Sequence, residues 1–159
     1  MNRPISIIMG SQSDLQTLQE TINLLKEFKV AFEIKVLSAH RTPKELVKFI
    51  ESAPQRGTRI FIAAAGGAAA LAGVVAAHTT LPVIGIPIET SSLKGLDSLL
   101  STVQMPAGVP VASMAIGKTG ARNAAIFALE ILGINDKAIQ CKLSSFRSKM
   151  RNKIKKTRV

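Results

Sequence analysis

Ile60-Phe61-Ile62-Ala63-Ala64-Ala65-Gly66-Gly67-Ala68-Ala69-Ala70-Leu71-Ala72-Gly73-Val74-Val75-Ala76-Ala77 is eighteen residues without a charge. The length alone meets the test for a membrane span. The composition does not, because Ala and Gly supply little transfer energy per residue. Gly66-Gly67, in the middle, is also a natural break between a strand and a helix. The stretch therefore reads as a buried strand over 60–64, a glycine turn, and an Ala-rich helix from about 69 to 78.

Working outward, the same strand-then-helix pattern recurs. Toward the amino terminus, Ile5 to Met9 is a short apolar run ending at Gly10, and Leu15, Leu18, Ile22 and Leu25 follow at helical spacing. Phe32 to Leu37 reads as a second strand. Thr42-Pro43 then starts a helix with Thr as cap and Pro in its first turn, and Leu46, Phe49, Ile50 and Ala53 form its buried face. Toward the carboxyl terminus come a strand over 82–86, a helix from Gly95 to about Val103, a short strand over 110–112 and a helix from about Thr119 to Leu132. Asn135-Asp136 caps a final helix. Five such units with near-continuous apolar strands predict an α/β fold: a three-layer sandwich around a flavodoxin-like parallel sheet, with a C-terminal helical arm. Ligands of such sheets bind beyond the carboxyl ends of the strands, where the strand order switches.

The chain has 159 residues, one domain's worth, with 47% hydrophobic and 19% charged residues, which excludes a disordered chain. It has no Trp or Tyr and only six Phe, which counts against stacking platforms for bases or sugars. A single cysteine, Cys141, leaves neither an internal disulfide nor a cysteine metal cage, so a reducing, cytoplasmic setting is expected. Met1-Asn2-Arg3-Pro4 leads into an apolar run too short for a signal-peptide core, and no membrane association is expected. The net charge is +11, but nine basic residues and no acids fall in 137–159. Residues 1–136 hold twelve basic and ten acidic residues, a net +2. The expected organisation is a body over 1–136 and a basic helical arm over 137–159. A terminal charge block is most often a solvated helix, so nucleic acid is not expected as a partner.

The loops after the first three strands hold the candidate chemistry. Gly10-Ser11-Gln12-Ser13-Asp14 offers backbone N–H groups and hydroxyls at a helix start, as a phosphate cradle does. Its spacing alone favours a cap, a capping box from Ser11 to Asp14. In Ser38-Ala39-His40-Arg41-Thr42-Pro43, Arg41 has the planar fork that suits a phosphate. His40 can move a proton near neutral pH, or can be a loop histidine held by a carbonyl. Ala65-Gly66-Gly67-Ala68-Ala69-Ala70-Leu71 can be a floor for a planar ligand or simply close helix-on-strand packing. His78 falls late in a helix, away from the strand ends, and Asp97-Ser98 falls where it caps or pairs near the fourth helix. Together the loops suit a small phosphorylated ribosyl ligand and proton transfer. No metal cluster, nucleophile triad, carboxylate pair, Walker loop or dinucleotide fingerprint is present, and no cofactor is expected.

These motifs, with Asp97-Ser98-Leu99-Leu100-Ser101-Thr102-Val103-Gln104-Met105-Pro106, closely resemble the PurE family from about Ile5 to Leu132. The resemblance implies an N5-carboxyaminoimidazole ribonucleotide mutase of purine biosynthesis, an isomerase that uses no metal, ATP or organic cofactor. It also implies a homo-octamer whose sites neighbouring subunits complete. Carried over by motif, Ser11 and Arg41 would hold the 5′-phosphate and Asp14 the ribose hydroxyls, while Ser13, Ser38, Ala39 and Leu71 line the pocket. His40 would be the general acid/base, and Ala65, Gly66, Gly67, Ala68 and Ala69 the floor that holds transient CO2. Two positions depart from the family wording Gly-Gly-Ala-Ala-His-Leu-Pro-Gly: Ala70 stands for the His and Ala72 for the Pro. The alternatives are the related aminoimidazole ribonucleotide carboxylase, which uses free CO2, and a nonenzymatic polyanion-binding protein acting through the tail.

Overall fold

A strand whose side chains alternate between two buried faces is apolar at nearly every position, as the first strand shows with Ser6 as its one polar residue. β1 (Ile5–Met9) is buried throughout. Its Ile5, Ile7 and Met9 enter one core cluster and Ile8 the other. The computed structural model describes residues 3–157. In it β1 pairs with β2 (Phe32–Val36) on one side and β3 (Ile60–Ala65) on the other, and β4 (Val83–Pro87) and β5 (Ala112–Ser113) continue outward. All pairings are parallel and the order is β2-β1-β3-β4-β5. Ile5 lies opposite both Phe32 and Ile60, which fixes the register of β2, β1 and β3.

Helices cover both faces. α1 (Leu15–Glu27), α5 (Gly117–Gly133) and α6 (Lys137–Lys156) supply Leu18, Leu25, Ala124, Ala128 and Ile139 to the larger core. α2 (Pro43–Glu51) and α3 (Leu71–Ala77) supply Leu46, Ile50, Leu71 and Val75 to the smaller one. α4 (Leu96–Val103) follows β4. Fully buried Ala121, Ala124, Ala125 and Ala128 let α5 approach α1 closely, where the Thr21 hydroxyl donates to the Ala121 carbonyl at 2.7 Å.

Several elements differ in detail from their expected form. α3 starts at Leu71 rather than about Ala69, because Gly67 (φ 64°) and Ala69 (φ 37°) turn the chain through the left-handed region first. The fifth strand is Ala112–Ser113, beyond Pro110, which has no N–H to give a ladder. Thr42 does not cap α2 with its side chain. Its hydroxyl is taken by Ser38, accepting from the Ser38 N–H at 2.8 Å and donating to the Ser38 carbonyl at 3.2 Å. Phe49 is half-buried: it packs against the smaller core on one side, and the Arg56 guanidinium covers its ring at 4.1 Å. The eighteen-residue uncharged stretch divides into β3, a turn and the seven-residue α3. Among the described residues no helix is long and apolar enough to cross a membrane.

A polar network closes the amino end of the sheet. The buried Glu33 carboxylate accepts from the Ser6 hydroxyl and from Arg56 Nε at 3.0 and 3.2 Å, with Arg3 3.7 Å away. Burial pushes this carboxyl up, but the Ser6 hydrogen bond and the two arginines outweigh it and hold Glu33 below its ordinary value. At the other end of the chain, Asp136 caps α6 through the Ala138 and Ile139 N–H groups. Ile139 and Leu143 are buried, Phe146 meets Phe28 edge-on at 5.9 Å, and Lys142 Nζ donates to the Phe28 carbonyl. Past Arg147, which pairs with Glu130, the helix runs on with Met150 52% and Ile154 74% exposed. Residues 158–159 of the expected arm, and Met1 and Asn2, lie outside the described residues.

Candidate functional site

In this strand order β1 and β3 are the neighbours from which the chain proceeds in opposite directions, so their carboxyl ends flank the crevice where such sheets bind ligands. A cavity of about 360 Å³ lies there. Three loops line it: Gly10, Ser11 and Asp14 after β1; Ser38, Ala39, His40 and Arg41 after β2; and Ala65, Gly66, Ala69, Ala70 and Leu71 at β3 and beyond. Ser13, Gly67 and Ala68 are not among the lining residues. His78 is exposed at the far end of α3.

The first loop is a single 3₁₀ turn over Gln12–Asp14, with Ser11 as its cap. Ser11 Oγ accepts from the Ser13 N–H at 3.3 Å, and the Ser11 N–H donates to Asp14 Oδ2 at 3.1 Å, so the capping box is formed. Capping and lining coexist, since Ser11 and Asp14 also face the cavity. The Ser13 hydroxyl lies 2.9 Å from Ser11 Oγ and 3.3 Å from Asp14 Oδ1, supporting both side chains. Burial holds the Asp14 carboxyl above its ordinary value, against the lowering pull of the Ser11 N–H, the Ser13 hydroxyl and nearby Arg41. A half-desolvated carboxylate of this kind binds hydroxyl donors well, because less water competes for its lone pairs.

Arg41 bridges the first two loops. Its Nη2 donates to the Gly10 carbonyl at 2.7 Å and its Nε to Ser38 Oγ at 3.4 Å. The guanidinium is thereby fixed in orientation while other N–H donors stay available to an anion. His40, next to it, is exposed, and among the described residues no hydrogen bond within the chain holds its ring. The third loop supplies the floor. A Cβ on Gly66 would lie 3.0 Å from Thr90 Cγ2, so the floor is backed directly by the segment after β4. Asp97 holds that segment, accepting from the Thr90 hydroxyl at 3.0 Å and from the Ser98 N–H at 2.9 Å.

Three contributions escape a reading of sequence patterns. Gly10 matters through its carbonyl, which no motif spacing exposes. Thr90 backs the floor from a loop with no periodicity. Ala70, which the sequence offers within a candidate floor stretch and as a departure from the family wording but not as a substrate contact, lines the cavity. Among the described residues no group of three or more His, Cys, Asp or Glu side chains is placed to hold a metal ion.

A parallel sheet of order 2-1-3-4-5 with a cavity at its switch point defines a flavodoxin-like α/β protein with a candidate small-molecule site. The AIR carboxylase family pattern matches residues 4–153, and the chain belongs to that family. It is 50% identical to the N5-carboxyaminoimidazole ribonucleotide mutase of Saccharolobus solfataricus, over 98% of this chain and 97% of that one. The Vibrio parahaemolyticus protein of the same name is 51% identical over 91% of this chain and 89% of its own length. Among solved structures, Treponema denticola PurE superposes with a TM-score of 0.85 at 29% identity, covering 94% of this chain and 92% of that chain.

Proposed function

We propose that the chain is an N5-carboxyaminoimidazole ribonucleotide mutase, an isomerase of purine biosynthesis that moves a carboxylate from the exocyclic nitrogen of its substrate to ring carbon C4. The observation that carries this reading is the meeting of Asp14, from the loop after β1, with His40 and Arg41, from the loop after β2, at one cavity floored by Gly and Ala. The near-whole-chain similarity to proteins of that name supports it.

In this reading Arg41, oriented by the Gly10 carbonyl, and Ser11 take the 5′-phosphate, and Asp14 takes the ribose hydroxyls. Ser38, Ala39 and Leu71 line the pocket, with Ser13 supporting Ser11 and Asp14 from beside it. The heterocycle lies toward His40 and the floor of Ala65, Gly66 and Ala69, continued by Gly67 and Ala68. His40 gives its proton to the carbamate nitrogen as the N–C bond breaks and CO2 leaves. C4 then attacks the CO2, and His40 recovers the C4 proton, so the enzyme ends as it began. Keeping CO2 beside the ring replaces a two-body encounter with an oriented one. No cofactor enters the scheme.

The same reading makes the enzyme a cytoplasmic homo-oligomer, an octamer, with a catalytic body over 1–136 and an arm over 137–159. Leu96, Leu100 and Val103, exposed at intervals of four and three along α4, and the exposed Leu93 in the turn before it support association. Sedimentation velocity tests it.

The activity is tested by supplying the purified chain with N5-carboxyaminoimidazole ribonucleotide, or with aminoimidazole ribonucleotide plus bicarbonate, and following product absorbance. Product from the first substrate without added bicarbonate is expected. Product only from the second, and only with bicarbonate, would make the protein a carboxylase instead.

A further inference from the structure

The α6 arm is not used by the catalytic reading, and its structure separates it into two unlike halves. Helical spacing puts Ile139, Leu143, Phe146, Met150 and Ile154 along one seam. The first two are buried and Phe146 packs on Phe28, whereas Met150 and Ile154 are exposed. The cations divide in the same way. Lys142 is engaged by the Phe28 carbonyl and Arg147 by Glu130, but Lys149, Arg151, Lys153, Lys155 and Lys156 form no ion pair among the described residues. Five unpaired positive charges thus lie on a helical length of about 11 Å. Lys149, Lys153 and Lys156 fall on one side of the seam and Arg151 and Lys155 on the other, as 3.6 residues per turn dictates.

We propose that these last turns bind the phosphate backbone of duplex nucleic acid, without sequence preference. A second copy of the arm is a poor occupant, because pairing along the seam would set basic rows against basic rows. The body offers little compensation, with ten acids against twelve basic residues in 1–136, and Glu33 already committed to its arginines. A lipid surface would require apolar area, and binding scales with it. The free turns carry only Met150 and Ile154, and the arm has no Trp or Tyr. Duplex nucleic acid presents one negative charge per about 1.7 Å of axis, dense enough to engage cations on both flanks of a helix. Absence of an exposed aromatic on the arm favours a duplex over single strands, which bind largely by stacking on such rings.

The test uses the full chain and a labelled random-sequence DNA duplex, titrated at several KCl concentrations. Five phosphate contacts give a log–log slope of about −4.5, so affinity should fall about 500-fold between about 50 and about 200 mM salt. The comparison protein carries Lys149→Gln, Arg151→Gln, Lys153→Gln, Lys155→Gln and Lys156→Gln, which keep good helix formers in place. Circular dichroism and mutase activity check that it is folded. Salt-steep binding by the parent, lost in the variant, supports the proposal. Equal duplex binding by the two proteins would overturn it. So would parent binding to anionic phosphatidylserine vesicles but not to duplex, or a changed sedimentation coefficient in the variant with no duplex binding by either protein.

Discussion

Arg56→Met removes one partner of a buried charge and keeps most of the side-chain stem. The parent guanidinium shares its Nε–H between the two Glu33 carboxylate oxygens, donates to the Ser52 hydroxyl at 2.6 Å and to the Phe49 carbonyl at 2.9 Å, and covers the Phe49 ring. Breaking a buried pair from one side costs about 3–5 kcal/mol. Arg56 is 27% exposed, so water recovers part of that loss, and the lower end, about 3 kcal/mol, is expected. For a chain of this size that lowers Tm by roughly 6–12 °C. The pH dependence identifies the cause. With its partners Glu33 has a lowered folded pKa, so its stabilisation is complete above the ordinary carboxylate range and is lost as pH falls through the folded value. Without Arg56 two of the lowering influences are gone while burial, the Ser6 hydrogen bond and Arg3 stay, so the folded pKa rises relative to the parent and the variant loses less stability on acidification. The gap in urea-unfolding free energy should therefore narrow from pH 7 to pH 4. The network lies at the amino end of the sheet, away from the cavity, so activity of the folded protein at low temperature should be nearly unchanged. A gap below 1 kcal/mol at pH 7, or one constant with pH, would refute this account of Glu33.

His40→Asn is expected to keep the fold and ligand affinity while lowering turnover about 10²- to 10⁴-fold; single-turnover kinetics check it. Arg41→Ala loses an exposed charge-assisted contact of about 1.5 kcal/mol and should raise KM roughly ten-fold, with a smaller effect on kcat. Asp14→Asn should raise Tm at pH 7, since the raised folded pKa means the ionised carboxyl is destabilising above that pKa and relieved below it. The same change should weaken substrate binding, read by calorimetric titration, and remove the parent's loss of affinity as Asp14 protonates in acid.

The layers of the fold were legible because burial on both faces forces the apolar runs at Ile5–Met9 and Ile60–Ala65, and because Pro43 marks a helix start that nothing overrides. The boundaries that moved depend on backbone details outside hydrophobic pattern. The left-handed Ala69 delays α3, and the Thr42 hydroxyl turns back to Ser38. At the candidate site, placement at the carboxyl ends of the strands marks the loops as ligand-facing, and their motif resemblance carries the roles. The Arg41 contact to the Gly10 carbonyl spans 31 residues, and the support of Gly66 by Thr90 crosses from one strand end to the next. Such long-range pairings leave no local mark. The Glu33 network is illegible for the same reason: Ser6, Glu33, Arg56 and Thr58 meet only when three strands are in register.

That register also has a kinetic consequence. The central ladder joins Ile5 to Ile60 across more than fifty residues, and the cavity needs both of the strands it joins plus β2. Ordering so long an intervening segment is slow compared with winding a helix. During refolding from urea, far-ultraviolet ellipticity should thus recover well ahead of catalytic competence, and the interval between the two measures how late β1 takes its place between its neighbours.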